Sequence, residues 1–189
     1  VDRGVATMSL YQDRMEVAGD IWLNGVSVMT VSPPNQLVNA SFEINQRGQE
    51  SYIEQAAYSY DRWRNHSVGT VTREENTSPA NTPYMLKLSI KDGTYNTFSQ
   101  PFENFSVRWK GKKVSVSAWM KADRESRAKL RVGNSQIICE LTADWKLYSG
   151  AFLVEEAADW FNQGFNFSLM SSAQDADRPG TVWIAAPQV

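Results

Sequence analysis

Along most of the chain apolar and polar residues alternate with a period of two, and sustained helical periodicity is scarce. The clearest run is Lys112 to Ala122, which sends Val114, Val116, Ala118 and Met120 to one face and Ser115, Ser117, Trp119 and Lys121 to the other. That is a strand with one buried face. The same pattern recurs at Met85 to Ile90, Ala128 to Gly133, Lys146 to Val154 (Tyr148, Phe152 and Val154 inward) and Gly164 to Ser171. Turn-forming residues separate these runs at Pro79 to Pro83, Lys91 to Gly93, Lys110 to Lys112, Gly133-Asn134 and Ser171 to Gly180. Only Glu155 to Phe161 suggests a helical turn. From Leu37 onward the pattern predicts about eight or nine strands, the size of one antiparallel sandwich, and a jelly roll is the natural closure for that number.

Residues 1–34 carry shorter alternating pieces, among them Arg14 to Val17 and Ile21 to Val28, which are too small to bury a core alone. Asn24-Gly25 between β-formers signals a two-residue hairpin, because both residues tolerate the positive φ of a type I′ turn. Val31 to Asn35 contains Pro33-Pro34 and reads as a stiff connector. The expected division is a β segment with linker over 1–34 and a sandwich over 35–189.

Composition narrows the chemistry. With 42% hydrophobic residues the chain can bury a core, and a formal charge of -2 supplies no basic surface for nucleic acid or an anionic membrane. No apolar run is long enough to cross a bilayer as a helix, so membrane insertion is not expected. Cys139 is the only cysteine and lies in an apolar run, as a small buried hydrophobe would. Catalysis has little support. His66 is the sole histidine and has no nucleophile motif beside it, and one His with one Cys cannot furnish a zinc site. Glu54, Asp61, Glu155, Glu156 and Asp159 remain candidates for a carboxylate pair, though spacing alone brings no two of them together. No enzymatic activity, metal or cofactor is expected.

Sugar binding has a better physical warrant. Seven Trp and seven Tyr exceed what a sandwich core needs, and an exposed ring stacks on the apolar face of a pyranose. Trp119 is the sharpest candidate platform because its parity opposes Val116, Ala118 and Met120. Ser117, Lys121, Arg131 and Asn166 are expected beside it on the same sheet face, as a polar groove. Asp61-Arg62-Trp63 reads either as an Asp-Arg pair clamped over an indole or as a rim where Arg62 and Trp63 touch a sugar acid. Trp145 and Trp183 read as packing inside or at the end of the sandwich, and Trp22 as a contact between subunits or between the two segments.

Two stretches carry a family resemblance. Asn39-Ala-Ser-Phe-Glu-Ile-Asn-Gln-Arg-Gly48, followed by Tyr60-Asp-Arg-Trp63, resembles the opening signature of a bacteriophage tail-fibre domain, in which a short first strand leads through a loop to the Asp-Arg-Trp triplet. Gly111 to Ala122, Leu141 to Ser149 and Thr181 to Gln188 resemble later strands of that domain, and also the jelly-roll carbohydrate-binding modules of glycosidases. Gly19 to Gly25 resembles the last stretch of a fibre shaft. The resemblance implies a virion-borne homotrimer at the distal end of a tail fibre, touching a bacterial surface polysaccharide and other virion tail proteins. It implies no calcium site: Glu43 could fill one half, but Ala185 and Ala186 stand where the modules carry an aspartate. The rival expectations are a carbohydrate-binding module of a polysaccharide-degrading enzyme and a purely structural trimerising domain.

Overall fold

The computed structural model describes residues 7–11, 14–18, 22–23, 26–27, 35–53, 57–66, 68–90, 96–155, 163–169 and 180–189. The chain divides into two compact units, Val1–Pro34 and Asn35–Val189. The first holds two hairpins. Strands β1 (Thr7–Tyr11) and β2 (Arg14–Ala18) pair with Tyr11 opposite Arg14, and β3 (Trp22–Leu23) pairs with β4 (Val26–Ser27) with Leu23 opposite Val26. Asn24-Gly25, the rest of the shaft-like pattern apart from Trp22 and Leu23, and the Trp22 side chain lie outside the described residues.

The second unit is built from β5 (Ser51–Tyr52), β6 (Ala57–Tyr58), β7 (Arg64–His66), β8 (Gly69–Glu75), β9 (Tyr84–Ile90), β10 (Thr97–Pro101), β11 (Lys113–Ala122), β12 (Ser126–Val132), β13 (Ser135–Leu141), β14 (Lys146–Leu153), β15 (Gly164–Leu169) and β16 (Thr181–Gln188). A single helical turn, α1 (Phe105–Arg108), precedes β11 and buries Phe105. Two six-stranded antiparallel sheets result, ordered β14-β11-β16-β9-β8-β5 and β13-β12-β15-β10-β7-β6. Only β6–β7, β8–β9 and β12–β13 are sequence neighbours paired in one sheet; every other connection crosses between sheets. That path is a jelly roll.

Alternation explains the two layers. Val116, Ala118, Met120 and Ala122 of β11, Leu86 and Leu88 of β9, and Val182 and Ile184 of β16 face inward from the first sheet. Ala128, Leu130, Val132, Phe98, Phe165, Phe167 and Leu169 do so from the second. All belong to one buried cluster. Gly111 (φ 73) and Gly133 (φ 64) occupy turns whose left-handed backbone favours glycine. Cys139 is a buried free thiol, and burial pushes its pKa up to about 11, so it is a packing group and not a nucleophile. Lys91 to Gly93, most of Glu155 to Phe161, and Ser171 to Pro179 lie outside the described residues.

The opening signature corrects its expected geometry. Residues 39–48 form no strand; Asn39 (φ 54) and Phe42 (φ 58) take left-handed backbone, and the segment loops. The Asn39 side chain closes that loop, donating to Ile44 O at 2.8 Å and accepting from Ile44 N–H at 2.9 Å. Side-chain amides thus do the work of a paired strand. Gln100 repeats the device from inside the sandwich, its Nε2 donating to Val38 O and its Oε1 accepting from Val38 N–H, both at 2.7 Å. Gln100→Ala should therefore cost about 2 kcal/mol in urea unfolding, because both main-chain groups of Val38 lose their partner. Exposed Gln46→Ala should cost under about 0.5 kcal/mol.

Candidate functional site: the two outer faces of the sandwich

Each sheet turns one face to the core and one outward, and the predicted site residues divide between the two outward faces. Ser117, Trp119 and Lys121 project from β11 on the first sheet. Arg131 lies on β12 and Asn166 on β15, both in the second sheet, so the single groove expected from parity does not exist. The reason is the crossing connection between β11 and β12. Parity tells inward from outward, but it is blind to which sheet a strand joins.

Trp63 is corrected as well. It is 1% exposed, its ring stacks on Phe98 at 5.1 Å and 2°, meets Phe165 edge-on at 5.9 Å, and its Nε1 donates to Asn39 O at 3.2 Å. It is a core residue that no sugar can reach. Nor do Asp61 and Arg62 pair with each other. Asp61 accepts from Gln46 N–H at 2.9 Å, pinning the signature loop, while Arg62 bonds Glu103 at 3.1 Å on the surface. Of the carboxylates considered for acid-base work, Glu54, Glu156 and Asp159 lie outside the described residues.

The second sheet's outer face carries a row that sequence reasoning missed. Register places Tyr58 of β6 beside Arg64 of β7, Arg64 beside Ser99 of β10, Ser99 beside Asn166, Asn166 beside Arg131, and Arg131 beside Gln136 of β13. One residue from each of six strands thus lines up, spanning about 24 Å at the usual strand spacing. Ser99 and Asn166 at the centre are buried, whereas Tyr58 and Gln136 at the ends are exposed. The Arg64 guanidinium lies 5.0 Å from the Tyr58 ring centre, and that of Arg47 lies 5.8 Å away. A parallel row runs His66, Thr97, Ser168, Lys129, Ile138, with the Thr97 and Ser168 hydroxyls 3.1 Å apart. Burial, and then the positive charge of Arg64, lowers the pKa of His66, so its imidazole is neutral at pH 7. Outward parity on each strand was legible; their alignment was not.

On the first sheet's outer face Trp145 and Trp183 flank Lys121, with its Nζ 5.1 Å and 4.9 Å from their ring centres. Both indoles are half-buried, so of the two expected placements packing inside the core does not hold. Trp183 sits between buried Val182 and Ile184, so its outward parity was the available signal. Trp183 Nε1 donates to Glu74 at 3.2 Å, and Glu74 also holds Lys87 at 3.2 Å.

No family model and no curated protein matches the chain. Among solved structures it is similar to the enzymatically active domain of tailspike protein 4 of bacteriophage CBA120, with TM-score 0.48 and 14% identity over 82% of this chain. The match spans only 21% of that domain's chain. It is also similar to the CBM22-1 xylan-binding domain of Paenibacillus barcinonensis Xyn10C, with TM-score 0.47, 14% identity and coverage of 73% of this chain and 90% of that one. A cyclase, Fisc from Fischerella sp. TAU, matches with TM-score 0.49 and 12% identity over 82% of this chain and 94% of its own. These are likenesses of chain path, too distant to carry a ligand or an activity across.

Proposed function

We propose that the 35–189 unit is a non-catalytic glycan-binding sandwich whose ligand meets the exposed and half-buried members of the second sheet's polar row, Tyr58, Arg64, Arg131 and Gln136, and does not touch buried Ser99 and Asn166. The observation that carries this reading is the row itself: Tyr58, Arg64, Ser99, Asn166, Arg131 and Gln136 in register across six strands. A polysaccharide presents hydroxyls that both donate and accept, and amide, hydroxyl and guanidinium groups answer them, while an edge tyrosine supplies one stacking ring. A sheet face holds those groups at fixed spacing, so little ordering is required on binding.

The motif at Asn39 to Gly48 with Tyr60 to Trp63 supports a tail-fibre setting, in which the domain attaches a phage virion to a bacterial surface polysaccharide. There the 1–34 unit joins three chains and the virion's other tail proteins lie behind it. Three weak sites on one axis would act together at high local concentration. Light scattering on the purified protein should then give about 64 kDa, three times the 21.3 kDa chain. In binding to purified surface polysaccharides, Arg131→Ala should weaken affinity about tenfold, the loss of one charge-assisted hydrogen bond. Wild-type affinity in the variant would sink the assignment of the face, and a monomer would sink the fibre setting.

A further inference from the structure

The first sheet's outer face holds a cation, Lys121, that among the described residues meets aromatic rings and no carboxylate. Lys121 Nζ sits against the faces of Trp145 and Trp183, and no carboxylate among the described residues lies within ion-pair distance of it. Glu74, the nearby acid, is already divided between Trp183 Nε1 and Lys87 Nζ. The indoles hold the ammonium in place without consuming its three N–H donors.

Two residues back on the same face, about 7 Å along the strand, stands half-buried Trp119. Two further back, Ser117 Oγ donates to Gln188 Oε1 at 3.2 Å. Gln188 in turn lines a cavity of about 440 Å³ with Asn39, Ser41, Glu43, Thr82 and Pro187, among others. A bulge between Ser117 and Trp119 in the β11–β16 register, with Ala186 at φ 45, brings that end of β16 to the cavity. Cation, aromatic platform, hydroxyl-amide pair and cavity therefore follow one another along one face.

We propose that this face is a second ligand site, separate from the row on the opposite sheet, and that it takes an acidic sugar unit linked to a neutral one. The carboxylate meets Lys121, the apolar face of the ring lies on Trp119, and its hydroxyls meet Ser117 and Gln188. The neutral unit enters the cavity, where Glu43 at its lining would repel a second acid. Charge complementarity selects this occupant: a neutral glycan leaves the ammonium's donors unused, and an apolar protein surface would desolvate it without a counter-charge.

The test is calorimetric titration with an oligosaccharide of alternating glucuronate and N-acetylglucosamine, beside the same oligosaccharide methyl-esterified at its carboxylates. Wild-type protein should bind the acid form about tenfold tighter than the ester. Lys121→Met should abolish that preference while keeping the affinity for the ester, Lys121→Arg should retain it, and Trp119→Ala should weaken both forms. Equal affinity of wild type for the two forms, or a preference that survives Lys121→Met, overturns the proposal. Binding lost in Arg131→Ala yet intact in Lys121→Met belongs to the other face, and would overturn this site while leaving the first reading standing.

Discussion

Trp63→Ala is expected to remove about 4 kcal/mol of folding stability in urea titration, a large part of what a domain of this size possesses. The indole is 1% exposed and carries three aromatic contacts, parallel on Phe98, edge-on to Phe165 and tilted against Phe42 at 5.4 Å. Its removal opens a void at the end of the core and also releases the Asn39 carbonyl from its donor, so the signature loop loosens with it. Arg62→Ala, one residue earlier, should cost under about 0.5 kcal/mol, because its ion pair to Glu103 joins two solvent-exposed side chains, 48% and 72% accessible. The contrast separates the two readings of the Asp-Arg-Trp triplet. A loss below about 1.5 kcal/mol for Trp63→Ala would contradict a core role.

Gly164→Ala should be the most damaging glycine substitution among the described residues, costing about 3 kcal/mol, the upper end of overpacking. A Cβ there would stand 2.2 Å from Gln100 O and 2.7 Å from the Pro101 Cα, both main-chain atoms of β10. Relief requires moving one strand against another, and β15 carries Phe165 into the core and Asn166 into the polar row. Gly150→Ala offers the control: its Cβ meets only Ile137, at 2.6 Å from the Cγ2 methyl, and that side chain can turn aside. Its cost should stay near 1 kcal/mol. Urea midpoints of the two variants decide the matter, and equal values would mean that β10 and β15 are not held as closely as the register indicates.

Alternation along β9, β11, β12, β14 and β15 was readable because a strand's side chains change face at every residue, a local rule that needs no partner. The buried state of Cys139 and the turns at Gly111 and Gly133 were readable for the same reason: each depends on neighbours within a few residues. The looped signature was not. The loop with left-handed Asn39 and Phe42 is held at Val38 by Gln100, at Asn39 by Trp63 and at Gln46 by Asp61, partners between 15 and 62 residues away. Trp183 shows a middle case, since its parity pointed outward but its aromatic bulk argued for the core.

By itself, then, the sequence determined which residues of each strand face the interior, where the chain turns, and that two layers must close on one core, because burial and turn chemistry act locally. Only the tertiary structure decided the companions of each outward residue. Ser117, Trp119 and Lys121 went to one face and Arg131 and Asn166 to the other because β11 and β12 join different sheets. Sheet membership follows from strand pairings between residues far apart in sequence, such as Arg131 with Asn166 or Ser99 with Asn166. Those are chosen by the energy of the whole sandwich, and no local pattern records that choice.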